Sequence, residues 1–202
     1  MKKLLMISVV AVSLAIGAFG GNLLTKSMTS GSSYTNIYES DGKGRIEVFG
    51  QMSGYNTPTL YNKLQALKSQ GISELEIFIM SPGGVVVDAF GFCDLISKAK
   101  SEGFHVTTIA RGMVASAAVP VFLSGDHRIA GPSTVFMLHK PGRPDPCDGN
   151  CKEYFDINEH IYINLVADHC DLTYEEVDKY CADETWFTAK EAKRFGMVDE
   201  IG

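Results

Sequence analysis

The chain's fold class is predicted to be α/β, and three observations carry that expectation. From Arg45 onward, segments with apolar residues at every second position alternate with segments whose apolar residues recur at three- and four-residue spacings. Two of the strand-like segments run directly into glycine-containing turns followed by helical patterns, as in an α/β sheet. Roughly 170 of the residues lie behind an apolar N-terminal segment, which suits one domain with one core, since domains commonly run about 100–200 residues.

The elements follow in order. Arg45–Gly50 alternates Ile46 and Val48 with Glu47 and Phe49 and reads as the first strand. Leu60, Leu64 and Leu67 give Pro58–Leu67 one buried helical face. Glu74–Met80 is a strand ending at Ser81-Pro82-Gly83-Gly84, and Val85–Lys100 follows as a helix. Phe104–Ala110 is a strand that ends at Arg111–Ser116, and Ala117–Leu123 is a short, buried helix rich in small residues. Arg128–Ala130 and Thr134–Leu138 are short strands, the second ending at His139. Beyond a Pro/Gly-rich loop at 141–150, Tyr154–His169 is helical. Thr173-x-x-Glu176 and Thr188-x-x-Glu191 each match a capping box, so two more helices begin there. A last short strand closes the chain near Ile201, giving a C-terminal helical region.

The front of the chain has a different character. Lys2 and Lys3 precede an uncharged run from Leu4 to Phe19, then Gly20 and Gly21, the layout of an export signal. A cleaved signal has about 7–15 apolar residues and a spanning helix about 20, so residues 1–24 are expected to be a signal peptide or a membrane anchor. Either reading puts the body outside the cytoplasm, periplasmic or membrane-anchored, with the lysines left inside. Residues 25–44 are Ser/Thr/Gly-rich and aperiodic and are expected to form a flexible linker to the domain at 45–202. With three of the 18 Lys+Arg and no acid in residues 1–30, the rest carries 15 basic against 24 acidic side chains, a balance of −9. Such a body lacks the basic surface that nucleic acid requires.

Five cysteines occupy positions 93, 147, 151, 170 and 181. Cys93 lies in an apolar helical stretch as a core residue. An export signal and four cysteines in the C-terminal half favour disulfides, with Cys147–Cys151 and Cys170–Cys181 as the local pairings among three connectivities. A zinc site from Cys147, Cys151, His169 and Cys170 fits no standard ligand spacing, so no metal and no cofactor are expected.

The ends of the three strands before Ser81–Gly84, Gly112–Ser116 and His139 converge on one edge if the strands are parallel, and ligands of open α/β sheets bind at that edge. Gly83-Gly84 lets backbone N–H groups approach a ligand closely, as an oxyanion site needs. Ser116 sits where a strand turns into a helix, among small apolar residues, placed either as a nucleophile or as a simple helix cap. His139 is the histidine placed to take its proton.

The combination of SPGG at 81–84, GMVASAA at 112–118, MLHKP at 137–141 and TWFTAKEAKRFGMVDEI at 185–201 resembles the proteolytic subunit of the Clp protease. That family consists of serine peptidases with the ClpP/crotonase-like fold of repeated β-β-α units, and the resemblance covers about residues 45–201. It implies Ser116 as nucleophile, His139 as general base, and the N–H groups of Gly84 and Ala117 as the oxyanion hole. The family's acid is an Asp two residues before the aromatic matching Trp186; here that register falls on Glu184, with Asp183 beside it as the alternative. Ala117-Ala118 replaces a common Met-Gly pair, and Pro120 enters the following helix early, which affects the pocket's shape more than its chemistry. The resemblance further implies an endopeptidase acting on peptides or unfolded proteins as a homo-oligomeric ring. An ATP-driven unfoldase is not expected as a partner, because exported compartments lack ATP. Two other readings are a catalytically impaired crotonase-fold scaffold, suggested by Glu184, and an acyl-CoA-processing crotonase. The related signal peptide peptidase A family is membrane-tethered but uses a Ser/Lys pair, an arrangement that Lys140 next to His139 does not reproduce.

Overall fold

In the computed structural model, which describes residues 34–54 and 57–202, the expected strands join one sheet. The elements are β1 (Tyr34–Ser40), β2 (Lys43–Phe49), α1 (Thr57–Ser69), β3 (Glu74–Ser81), α2 (Val86–Ser101), β4 (His105–Ala115) and α3 (Ala118–Leu123). They continue with β5 (His127–Ala130), β6 (Val135–Leu138), α4 (Gly149–Ala167), α5 (Tyr174–Ala182), β7 (Thr185–Thr188), α6 (Ala189–Arg194) and β8 (Glu200–Ile201). The export segment at 1–24 and residues 25–33 of the expected linker lie outside the described residues.

The rest of that linker is a correction. Residues 34–40 form β1, antiparallel to β2, with Ser40 paired to Lys43 across Asp41-Gly42. Both turn residues have positive φ, 56° and 76°, the geometry a two-residue hairpin demands and an Asp-Gly pair supplies. Polar composition had hidden a strand whose inward residue, Ile37, is buried.

β2, β3, β4 and β5 run parallel, and their inward residues Ile46, Val48, Leu75, Ile77, Ile79, Val106 and Ala110 form the core under the helices. β4 serves two branches. Thr107–Ala110 pairs with β5, whereas Met113–Ala115 pairs with β6. Between them the register against β3 slips, from Ile79↔Ala110 to Ser81↔Val114, at the point where Gly112 takes φ 66°. A bulge of this kind bends a strand and re-aims its end. Here it carries the β4 terminus away from β5 and onto β6.

All six residues of α3 are buried, consistent with its apolar character on every side. Pro120 falls in its first turn, where no intrahelical N–H bond is lost. Both expected capping boxes form, at Thr173/Glu176 and Thr188/Glu191. α4 begins earlier than expected, at Gly149. The tail is tied back by Arg128, whose guanidinium bonds Asp199 at 2.7 and 2.9 Å and also reaches the His169 carbonyl.

The cysteines separate by environment. The sulfurs of Cys147 and Cys151 lie 2.15 Å apart, while Cys93, Cys170 and Cys181 are free. The expected Cys170–Cys181 pairing is therefore not formed. Cys181 faces the interior from α5, whereas the Cys170 thiol donates to the Val166 carbonyl at the end of α4. Burial pushes the Cys93 thiol up to about 11 and Cys181 up to about 12, so neither is a thiolate near neutral pH.

Candidate active site

The parallel register of β4 and β6 brings the first two expected residues together. Ala115 pairs with Met137, and the Ser116 N–H donates to the Met137 carbonyl at 2.8 Å. Both chains then leave the sheet at the same edge, Ser116 toward α3 and His139 toward the loop. The Ser116 Oγ lies 2.6 Å from His139 Nε2. Ser116 is not the helix cap, a role that falls to Ala117 without any side-chain bond. Its φ of 54° lies in the left-handed region, which costs an L-residue about 1–2 kcal/mol. Strain of this kind persists where the surroundings hold it, and it projects the hydroxyl outward from the strand-to-helix turn.

His139 is half-buried. Its pKa is lowered from the usual 6.5 chiefly by burial, with the charge of Glu184 opposing the shift. The imidazole therefore stays neutral, able to accept a proton, to lower pH than a solvated histidine would.

Glu184 is placed by β7, a strand not foreseen in the sequence. β7 runs antiparallel to β6 with Leu138 opposite Thr185 and Met137 opposite Trp186. Glu184 immediately precedes Thr185 and His139 immediately follows Leu138, so the end of the ladder brings the two into one neighbourhood, with Asp183 one residue further back along the chain. Of these two acids, Glu184 is the one whose charge acts on the imidazole. It acts through space, since no hydrogen bond joins it to His139 among the described residues. Glu184 too has positive φ, 47°.

The glycine turn closes the site from the other side. A Cβ on Gly83, at φ 91°, would come within 2.6 Å of both the Ala115 carbonyl oxygen and the Ser116 Cβ, and 2.9 Å of the Ala117 nitrogen. Gly84 forms a parallel bridge with Met52, through Met52 N–H to the Gly83 carbonyl at 2.8 Å and Val85 N–H to the Met52 carbonyl at 2.7 Å. In such a bridge the central residue's own N–H faces the opposite side. Neither the Gly84 nor the Ala117 N–H donates to a backbone carbonyl in the turns and loops among the described residues. Beside them lies a cleft of about 250 Å³ lined by Gly84, Val85, Val87, Pro141, Tyr154 and Phe155, among others.

Sequence reasoning also passed over the anchoring of the His139 loop. Lys140 Nζ bonds Glu159 on α4 at 2.7 Å and Asp178 on α5 at 2.8 Å, and Arg143 pairs with Glu159 and Asp156. Hydrogen bonds to Asp178 and Glu159 raise the Lys140 pKa well above its usual value. That ammonium is a clamp and not a proton acceptor for Ser116. Nothing local in the sequence marks the cluster, because its acids lie far along the chain from Lys140.

A hydroxyl against an imidazole meets a glycine turn at the carboxyl ends of β3, β4 and β6, with Glu184 at the amino end of β7, in a fold of the mixed α/β class. Comparison with known proteins narrows the class. The Clp protease family model matches residues 29–202. The chain is 31% identical over 159 residues to the ATP-dependent Clp protease proteolytic subunit of Bacteroides fragilis, covering 75% of each chain. The corresponding subunit of Bacteroides thetaiotaomicron is 32% identical over 162 residues, 75% of this chain and 70% of that one. Among solved structures, a point mutant of ClpP1 from Listeria monocytogenes superposes with a TM-score of 0.69 at 24% identity, over 80% of this chain and 92% of that one, which shows the fold. The chain belongs to the Clp protease family, and so to the peptidases.

Proposed function

We propose that this protein is a serine endopeptidase that cleaves peptides or unfolded proteins through an acyl-enzyme. The observation that carries the reading is the 2.6 Å approach of Ser116 Oγ to a half-buried, neutral His139 at the edge where the glycine turn opens. In the first step Ser116 Oγ bonds to the scissile carbonyl carbon and its proton passes to His139 Nε2. The oxyanion that develops is received by the N–H groups of Gly84 and Ala117. Collapse breaks the C–N bond, and the departing amine takes the proton back from His139. Water then repeats the sequence on the acyl-enzyme and frees the carboxylate and Ser116. Glu184 stabilises the imidazolium formed in each half. The Glu-for-Asp exchange does not favour the impaired-scaffold reading, since the charge of Glu184 still reaches the His139 ring.

The test is covalent labelling of the wild-type protein by a fluorophosphonate together with hydrolysis of short fluorogenic peptides. No labelling under conditions that label other serine hydrolases would refute the nucleophile. The pH profile gives an independent check. His139 must be neutral to act, and its pKa is lowered, so the acid limb of kcat/KM should fall below pH 6.5. Glu184→Gln removes the influence that raises that pKa, so the limb should move further toward acid as kcat falls. A limb that stays in place or moves upward would exclude Glu184 as the acid.

The cleft beside Gly84, lined mostly by apolar residues, suits an extended peptide. By kinship the active form is a homo-oligomeric ring; the acidic body offers nucleic acid no basic surface, and an exported compartment without ATP provides no ATP-driven unfoldase. The place of action follows from residues 1–24, which direct the domain across the membrane to the periplasm or leave it tethered there. A Cys147–Cys151 disulfide at the entry to α4 fits that oxidising compartment. Intact-mass analysis of protein purified from membrane and exported fractions should show a gain of one pair of hydrogens on reduction. A cytoplasmic protein with five alkylatable thiols would contradict both points.

A further inference from the structure

The site's least explained buried polar group is a tyrosine. Tyr162 lies on α4 at 1% exposure, and its hydroxyl donates to the Ser116 carbonyl at 3.2 Å, 46 residues away in sequence. A phenylalanine would fill the same space without placing a hydroxyl in the core, so the hydroxyl is tolerable only because it finds this partner. Burial raises the tyrosine's pKa well above its ordinary value, so the hydroxyl keeps its proton and remains a donor near neutral pH.

We infer that Tyr162 is a positioning residue for the oxyanion site, acting through the Ser116–Ala117 peptide. This rests on the reading of Ser116 as nucleophile and of the Ala117 N–H as an oxyanion donor. The carbonyl that Tyr162 binds and that N–H belong to one trans peptide unit, which is planar, so fixing the oxygen fixes the direction of the hydrogen. The φ of 54° at Ser116 is strained and persists only where surrounding contacts hold it, so contacts on the following peptide matter. The Val119 N–H also donates to the Ser116 carbonyl, at 2.9 Å, but it belongs to the same turn and would move with it. Tyr162 comes from a separate helix and holds the peptide from outside that turn. A donor on the carbonyl also polarises the amide and strengthens its N–H as a donor in turn. The same helix carries Glu159, which holds Lys140 next to His139, so α4 supports both the donor side and the base side of the site.

Tyr162→Phe tests this. With folding checked by circular dichroism, kcat should fall about tenfold, the size of one hydrogen bond felt in the transition state, with KM within about twofold. Affinity for a peptide boronic acid, whose tetrahedral adduct occupies the oxyanion site, should fall by the same factor, while affinity for a product peptide should not change. Tyr162→Met removes the same hydroxyl with a flexible filler and should reproduce the loss if Phe disturbs folding. The inference is overturned if Tyr162→Phe is folded with wild-type kcat and boronate affinity, or if Met is impaired where Phe is not, since packing alone then matters. A wild type that resists fluorophosphonate overturns the nucleophile and this inference together. A wild type that labels while Tyr162→Phe is unimpaired overturns this inference alone.

Discussion

Ser116→Ala is expected to abolish fluorophosphonate labelling and to lower peptide hydrolysis by about four to six orders of magnitude, the loss seen when an activated serine is removed. The folded state should hardly notice. Ser116 makes its structural bonds through the backbone, with its N–H on Met137 and its carbonyl on Val119 and Tyr162, and these survive the change. The side chain's partner is His139, which is half-buried and already neutral, so no buried charge is stranded. Urea unfolding should therefore give a midpoint near wild type, within about 1 kcal/mol. Residual hydrolysis within tenfold of wild type would exclude Ser116. A folded but inactive protein would separate chemistry from architecture, and would be the natural trap for capturing an uncleaved substrate.

Gly83→Ala should damage both. The added methyl would sit 2.6 Å from the Ala115 carbonyl oxygen and the Ser116 Cβ, distances no carbon tolerates, and the φ of 91° is itself hostile to a side chain. The obstructing atoms are backbone and the nucleophile's own β-carbon, so relief requires moving the serine turn away from His139. Displacements near 1 Å at a reacting group cost about a hundredfold, so kcat/KM should fall at least that far. Overpacking and backbone strain should remove a further 2–4 kcal/mol or so of stability, read as a lower urea midpoint. Gly91→Ala is the matched control. It lies within α2, where the nearest atom to the new Cβ is 3.8 Å away, and replacing a helical glycine should stabilise by roughly 0.5–1 kcal/mol. If the two variants behave alike, the close approach of the turn to the nucleophile is not what Gly83 serves.

Much of this site could be read before the fold was known because its signals are local. A strand pattern that breaks at Ser81-Pro82-Gly83-Gly84, another that breaks at Gly112–Ser116 and a third that ends on His139 each announce a turn at a strand's end, and turn chemistry is a short-range property. Glu184 was reachable only through resemblance. β7 is four residues long and mostly exposed, with Phe187 alone facing inward, so it leaves no alternation to detect. The β1 strand was missed for the opposite reason: its composition looked like a linker, although Asp41-Gly42 was a hairpin signal in plain view. The Cys170–Cys181 pairing failed because separation along the chain says little about which way two side chains face.

Local chemistry alone determined most of the element types, the two capping boxes, the turn glycines and the candidacy of Ser116 and His139 at strand ends. Tertiary structure decided everything that depends on register and on distance between remote segments. The bulge at Gly112 steers β4 onto β6 and brings Ser116 to His139. The antiparallel pairing of β7 with β6 ends beside His139 and brings Glu184 close enough for its charge to act on the ring. α4 delivers Tyr162 to the serine's carbonyl and Glu159 to Lys140. The physical reason is range: backbone torsions and caps are decided within a few residues, whereas a hydrogen bond between positions 116 and 162 exists only once packing has closed the intervening chain.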